Sequence, residues 1–200
     1  MGKAPYRKFA SRADKLNFPV SAVAYFKLHL EREANDRAAQ FRLAENLRAL
    51  GKLTDAREAL KNLKNVPTEK RWFVHLCWGE LYMDLGDFHR AERYFRKSVK
   101  LNGGATIPWV YLGICLGRQE KFNEASAVLE SGLLAKGDIA EVCVNLGYVK
   151  RALGDYDVAG KCFAKALGLD PNCKEAKLAL RDLAFLKRTI DHFKAEKQNK

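Results

Sequence analysis

The sequence has little of what chemical sites are built from. Its four histidines, at 29, 75, 89 and 192, are isolated, and no GxSxG, HExxH, P-loop or Rossmann glycine pattern accompanies them. Five cysteines, at 77, 115, 143, 162 and 173, form no CxxC pair and have no His pair at metal-ligand spacing. Reduced, mostly buried thiols in a cytoplasmic protein are therefore expected. No apolar run approaches the roughly 18 to 20 residues needed to cross a bilayer. The opening MGKAPYRKFA has no h-region, and Tyr6 stands where a myristoylation site needs Ser or Thr. No stretch rich in Gly, Ser or Pro divides the chain, so one domain over 1–200 is expected. These absences point away from an enzyme, from a bound metal or cofactor and from a membrane span.

What is present is charge and apolar residues in soluble globular proportion: 200 residues, 48% hydrophobic and 30% charged, with a formal charge of +12. Counted as Lys+Arg minus Asp+Glu, the charge is +3 over 1–36, +5 over 37–71, +1 over 72–105, −1 over 106–139, 0 over 140–173 and +4 over 174–200. The surplus lies at the two ends.

An internal repeat sets the architecture. Gly86-Asp87-Phe88-x-x-Ala91 and Gly154-Asp155-Tyr156-x-x-Ala159 stand 68 residues apart, and half that spacing lands on Phe122-x-x-Ala125, giving a period of 34. At the same phase recur Trp78-Gly79, Leu112-Gly113 and Leu146-Gly147, followed by Phe95, Leu129 and Phe163. An upstream copy, one residue longer, has Leu43-Ala44, Gly51, Leu53, Ala56 and Leu60. In each copy apolar residues recur at i, i+3, i+4 and i+7, so each copy reads as two helices. Gly in mid-helix costs roughly 1 kcal/mol relative to Ala, so Gly79, Gly113 and Gly147 need a packing reason, namely a close helix crossing against Ala91, Ala125 and Ala159. Gly51, Gly86 and Gly154 fall where a left-handed helix cap is required. Glu120 breaks that pattern, which predicts a different or looser turn there.

On these residues the chain resembles a tetratricopeptide repeat (TPR) protein, whose pattern runs W-x2-L-G-x2-Y, then A, F/Y, A and P. Trp109-x2-Leu112-Gly113 and, toward its end, the copy with Ala159, Phe163, Ala166 and Pro171 match best; Cys143 and Lys150 replace the first aromatic and the Tyr. The resemblance implies an all-α, right-handed solenoid of helix pairs at 37–71, 72–105, 106–139 and 140–173. A degenerate repeat at 3–36, with Pro19 at a usually aromatic phase, precedes them. A capping helix over 174–196, carrying Ala176, Leu178, Leu180, Leu183, Leu186, Ile190 and Phe193, follows. Residues expected to pack the repeats are Gly79, Ala91, Trp109, Gly113, Ala125, Gly147, Ala159 and Pro171. His75 occupies an aromatic packing phase and is expected to be a satisfied interface histidine.

In such a solenoid the first helices line a concave face. The corresponding phases give Phe41, Arg42, Glu45 and Arg48; Phe73, Leu76, Cys77, Glu80, Met83 and Asp84; Ile107, Val110, Tyr111, Ile114 and Arg118; and Glu141, Val144, Asn145, Tyr148 and Arg151. An apolar groove is the expectation, holding an apolar or amphipathic partner segment, with Tyr111 and Tyr148 as anchors, Asn145 on peptide backbone and Arg118 and Arg151 at the rim. Two alternatives stay open: a terminal segment fills the groove, or superhelical curvature buries these residues as core. TPR domains that grip C-terminal carboxylates place Lys and Asn, then Asn, then Lys and Arg on successive first helices. Leu76 and Glu80, Tyr111, and Glu141 and Asn145 supply neither the cations nor the order, and Phe41 and Glu45 are equally unsuitable. The expected role is a non-catalytic adaptor or scaffold; a chaperone for a secreted or assembling substrate is a second possibility. A third is contact with nucleic acid or an acidic protein surface through the basic ends, at Arg7, Lys8, Arg12, Arg37, Arg42, Arg48 and Arg71 or at Lys187, Arg188 and Lys194.

Overall fold

The computed structural model describes residues 5–63 and 66–198, with side chains through 190. Phe193, Lys194 and His192 thus lie outside the described side chains. Among the described residues the chain is all-α, and no helix is long and apolar enough to cross a membrane. Two compact units form, 1–101 and 102–200. The first holds three helix pairs: α1 (Tyr6–Lys15) with α2 (Pro19–Leu30), α3 (Arg37–Ala49) with α4 (Leu53–Lys61), and α5 (Arg71–Asp84) with α6 (Phe88–Leu101). The second holds α7 (Thr106–Arg118) with α8 (Phe122–Gly132), α9 (Ile139–Ala152) with α10 (Tyr156–Leu169), and the long α11 (Lys174–Gln198). This is a TPR solenoid, in which α1 and α2 form a helix pair in their own right.

Steric necessity at the helix crossing explains the repeated glycines. A Cβ added to Gly79 would lie 2.4 Å from the Phe95 ring, one on Gly113 2.6 Å from Leu129, and one on Gly147 2.5 Å from Phe163. Those three side chains are fully buried, as are Ala91, Ala125 and Ala159. The large side chain of each second helix therefore seats directly on the backbone of its first helix. Trp109 packs on Gly132 and its Nε1 donates to the Gly103 carbonyl at 2.8 Å. Pro171 is a correction: it is exposed in the turn after α10 and ends that helix rather than packing the repeats.

The turn at Glu120 also departs from expectation, because it is the same turn as the others. Glu120 has φ +60, beside +70, +74 and +83 at Gly51, Gly86 and Gly154. The amide of Glu120 donates to the Gly117 carbonyl and that of Lys121 to Leu116. Gly86 to Met83 and Asp87 to Tyr82 repeat the pair of bonds, as do Gly154 to Arg151 and Asp155 to Lys150. Asn17, φ +57, closes α1 with the same bonds. The two-bond cap imposes the conformation on whichever residue occupies it, and a non-glycine there carries the strain.

Each unit has its own core. Ala22, Phe26, Leu43, Leu47, Ala56, Leu60 and Leu81 pack together in the first. In the second, α11 lays Ala176, Ala179 and Leu183 against Phe163, Ala159 and Ala166 of α10 and Cys143 and Val144 of α9. Ion pairs from Arg151 to Asp182 and from Lys187 to Asp157 fasten this cap to α9 and α10. Leu178 and Phe185 point outward instead, at 62% and 71% exposure.

Three substitutions test the crossing and the turn. Gly147→Ala is expected to lower stability by about 1–3 kcal/mol through overpacking against Phe163. Gly117→Ala, where an added Cβ meets nothing within 4 Å, is expected to raise it by about 0.5–1 kcal/mol. Glu120→Gly should stabilise by about 1 kcal/mol by relieving the left-handed residue. Urea unfolding followed by circular dichroism measures all three; a neutral Gly147→Ala would remove the crossing argument.

Candidate functional site

The first-helix face of each unit carries the candidate residues, and their burial divides them into two groups. Leu76, Cys77, Val110 and Val144 are buried, at 3%, 4%, 1% and 7% exposure. They are not part of an exposed apolar groove, as the sequence had suggested. Cys77 joins the core of the first unit beside Ala44 and Leu47, and Val144 joins that of the second beside Cys143 and Phe163. Burial, followed by the Glu80 and Glu45 charges, pushes the Cys77 thiol well above its ordinary value, so it stays protonated and is no reactive thiol.

On the first unit, the remaining face is largely self-satisfied. Phe41 of α3 meets Phe73 of α5 with ring centroids 5.2 Å apart. Arg48 reaches from α3 to two carboxylates of α5, Glu80 at 2.8 Å and Asp84 at 2.7 Å. Arg42 is likewise shared between Glu45 at 3.0 Å and Asp14 of α1 at 3.5 Å. Met83 is half-buried nearby.

On the second unit, α7 and α9 leave more surface open. Ile107 and Tyr148 are 42% and 37% exposed, Tyr111 and Ile114 are half-buried, and Arg118 and Glu141 are exposed. The start of α7 is pinned to the entry of α9: the Thr106 amide donates to the Lys136 carbonyl at 3.1 Å, and the Asp138 amide to the Thr106 hydroxyl at 3.2 Å. Asp138 then caps α9 by accepting from the Glu141 amide at 2.9 Å. Partial burial, then the neighbouring Asp138, raises the Glu141 carboxyl above its ordinary value. Asn145 Nδ2 donates to the Glu141 carbonyl at 2.9 Å, while its Oδ1 has no hydrogen-bond partner among the described residues. Arg151 is not an open rim cation: it lies over the Tyr148 ring at 5.4 Å and pairs with Asp182. Tyr148 in turn stands edge-on to Phe163 at 5.2 Å, which orients its ring.

Sequence reasoning missed an aromatic stack between α5 and α6. Tyr82 and Tyr94 lie 5.5 Å apart at an interplanar angle of 14°, and Trp78 stacks on both. Arg90 and Lys97 lie over Tyr82 and Tyr94. His75 tilts against Tyr94 at 5.9 Å, but its Nδ1 is buried without a hydrogen-bond partner. It is therefore an unsatisfied histidine, where a satisfied one was expected. The aromatic content of the copy at 72–105 was a usable signal; the face they share was not. His29, isolated in sequence, pairs with Asp36 at 2.9 Å. All five cysteines are free, with Cys77, Cys115 and Cys143 buried and Cys162 and Cys173 half-buried. Among the described residues no group of His, Cys, Asp or Glu could hold a metal ion.

Comparison with known proteins agrees with this architecture. Three models of the tetratricopeptide repeat match the chain, at residues 38–68, 72–105 and 140–173. Among solved structures it is similar to TTC0263, a thermophilic TPR protein of Thermus thermophilus, at 20% identity over 90% of this chain and 97% of that one, with a TM-score of 0.75. A chain of the APC/C hetero-tetramer Cut9-Hcn1 matches at 20% identity and TM-score 0.75 over 92% of this chain, which spans 36% of that chain's length. YrrB, a TPR protein described as having an unusual peptide-binding site, matches at 18% identity over 90% of this chain and 92% of its own, with a TM-score of 0.61. A search of curated protein sequences gives no match. The chain belongs to the tetratricopeptide repeat family.

His75 gives a pH test. Burial, and then the Lys97 and Arg71 charges, lower its pKa below the usual 6.5, so the unfolded chain takes up its proton first as pH falls. Stability owed to a neutral His75 is full above about pH 6.5 and declines below it. His75→Phe is expected to raise stability by about 1 kcal/mol at pH 7.5 by removing the unpartnered nitrogen. Its melting temperature should also fall less than that of the wild type between pH 7.5 and 5.5. Equal falls in both proteins would show that His75 is not the titrating group.

Proposed function

We propose that this chain is a non-catalytic protein-interaction module whose α7 and α9 face holds a segment of a partner protein. The observation that carries the reading is selective exposure. Val110 and Val144 disappear into the core, yet Ile107 and Tyr148 remain open beside half-buried Tyr111 and Ile114. Tyr148 is already held by Phe163 and Arg151, so it offers a rigid aromatic surface with little side-chain entropy left to lose on binding. The open Oδ1 of Asn145 can accept from a backbone N–H of a bound peptide, and exposed Arg118 stands at the margin. The face of the first unit is a weaker site, because Arg48 and Phe73 are engaged within the unit. The likeness to YrrB, whose description includes a peptide-binding site, supports a peptide as the ligand. Reading the five helix pairs as one functional domain belongs to the same proposal.

Selection from a displayed random-peptide library tests this. Peptides captured by the wild type are expected to share apolar or aromatic residues and to lose at least about tenfold in affinity toward Ile107→Glu/Tyr148→Ala. Because neither residue is buried core, the variant should melt within a few degrees of the wild type. Peptides that bind the variant equally well would place the site elsewhere.

A further inference from the structure

The N-terminal helix pair holds a second surface of different chemistry. On α1, successive side chains rotate by about 100°. That rotation puts Ala10 and Ala13, both buried, on one side, and Arg7, Lys8, Ser11, Arg12 and Lys15 on the opposite arc. The basic arc lines an open cleft of about 1210 Å³, closed on its far side by the end of α2 and the turn into α3. Arg32 contributes from α2 and lies over the Tyr6 ring at 5.0 Å, which holds its guanidinium at the cleft wall. Five Lys and Arg side chains line the cleft against two carboxylates, Glu33 and Asp36. Asp36 is already committed, to Arg7 at 3.0 Å, to His29 at 2.9 Å and to the Ala39 amide as the cap of α3. Lys8, Arg12 and Lys15 are exposed and have no ion pair among the described residues.

We propose that this cleft docks a short acidic segment, rich in Asp or Glu, of a partner protein. The bounds of the charge argue for a peptide over a nucleic-acid strand. Beyond the cleft along α3, only exposed Arg37 stands without an ion pair among the described residues, and Arg42 and Arg48 are each held by two carboxylates, so the cationic track for a phosphate backbone ends within the first turn. Of the rings lining the cleft, Tyr6 has one face covered by Arg32 and His29 is paired with Asp36, so neither is a free stacking platform. Ten residues of α1 span about 15 Å, the reach of four or five extended peptide residues at about 3.3 Å each. A second copy of this chain is a poor occupant, because both ends are basic, at +3 over 1–36 and +4 over 174–200.

Fluorescence anisotropy of the full chain with a labelled hexaglutamate peptide tests the proposal, with hexaglutamine and a ten-nucleotide uridine strand as comparators. Hexaglutamate is expected to bind, to weaken several-fold between 50 and 300 mM salt, and to lose at least about tenfold with Lys8→Glu/Arg12→Glu. Hexaglutamine should not bind, and Tyr148→Ala should leave hexaglutamate affinity unchanged. Both substituted cations are exposed, and a melting curve confirms that the variant is folded. Salt-independent binding, equal binding by the Lys8→Glu/Arg12→Glu variant, or tighter uridine binding lost in that variant would overturn the proposal. A dimer in sedimentation that the same variant dissolves would also overturn it, in favour of a second copy.

Discussion

In this protein the closeness of two helix backbones governs most other features. Where each first helix crosses its second, the aromatic or leucine side chain at Phe95, Leu129 or Phe163 lies where a Cβ on Gly79, Gly113 or Gly147 would have to be. The helical penalty of glycine, about 1 kcal/mol each, is offset by complete burial of a large apolar side chain, worth about 1.5–3 kcal/mol. Once that crossing is set, a tight left-handed turn must join the helices, and it recurs at Asn17, Gly51, Gly86, Glu120 and Gly154. Asn17 tolerates that conformation readily, but Glu120 does not, so at Glu120 the surrounding helix ends and not the residue select the turn.

The same closeness decides what surface is left for binding. Helix packing removes one strip of the first-helix face from solvent, so Leu76, Cys77, Val110 and Val144 act as core. The neighbouring strip keeps its exposure in the second unit and is filled by internal contacts in the first. Arg48 clamping Glu80 and Asp84 is a structural use of charge, although half-exposed pairs of this kind contribute modestly to stability. Capping works similarly at the far end, where α11 buries a stripe of small residues and leaves Leu178 and Phe185 outside.

Charge is used differently in different places. Along α3, Arg42 and Arg48 are each matched with two carboxylates, drawn from α1, α3 and α5, which neutralises them locally. On α1 the cations share one arc with no carboxylate of their own helix among them, because Asp14 lies toward α3 and is engaged by Arg42 and Asn46. A net charge of +12 therefore describes neither surface well; pairing geometry determines where it can attract a ligand.

Residue order alone was enough to establish the helix pairs, their 34-residue spacing, the identity of the crossing glycines and the presence of a capping helix. Those follow from periodicity and from residue types that are costly unless a specific contact requires them. Nothing in the order of residues revealed that Glu120 would adopt the glycine turn, because hydrogen bonds from the surrounding helix ends impose it. Nor could it separate Val144 from Tyr148, since both sit at face-directed phases and only the packing of neighbouring helices decides which is covered: Val144 joins the core shared with α10 and α11, while Tyr148 stays 37% exposed. His75 and His29 were equally isolated in sequence, yet one is buried with an orphaned nitrogen and the other meets Asp36, seven residues on in sequence. Packing settled these points because burial and pairing depend on what neighbouring helices bring to a side chain, and a repeat frame records only the direction in which that side chain leaves its own helix.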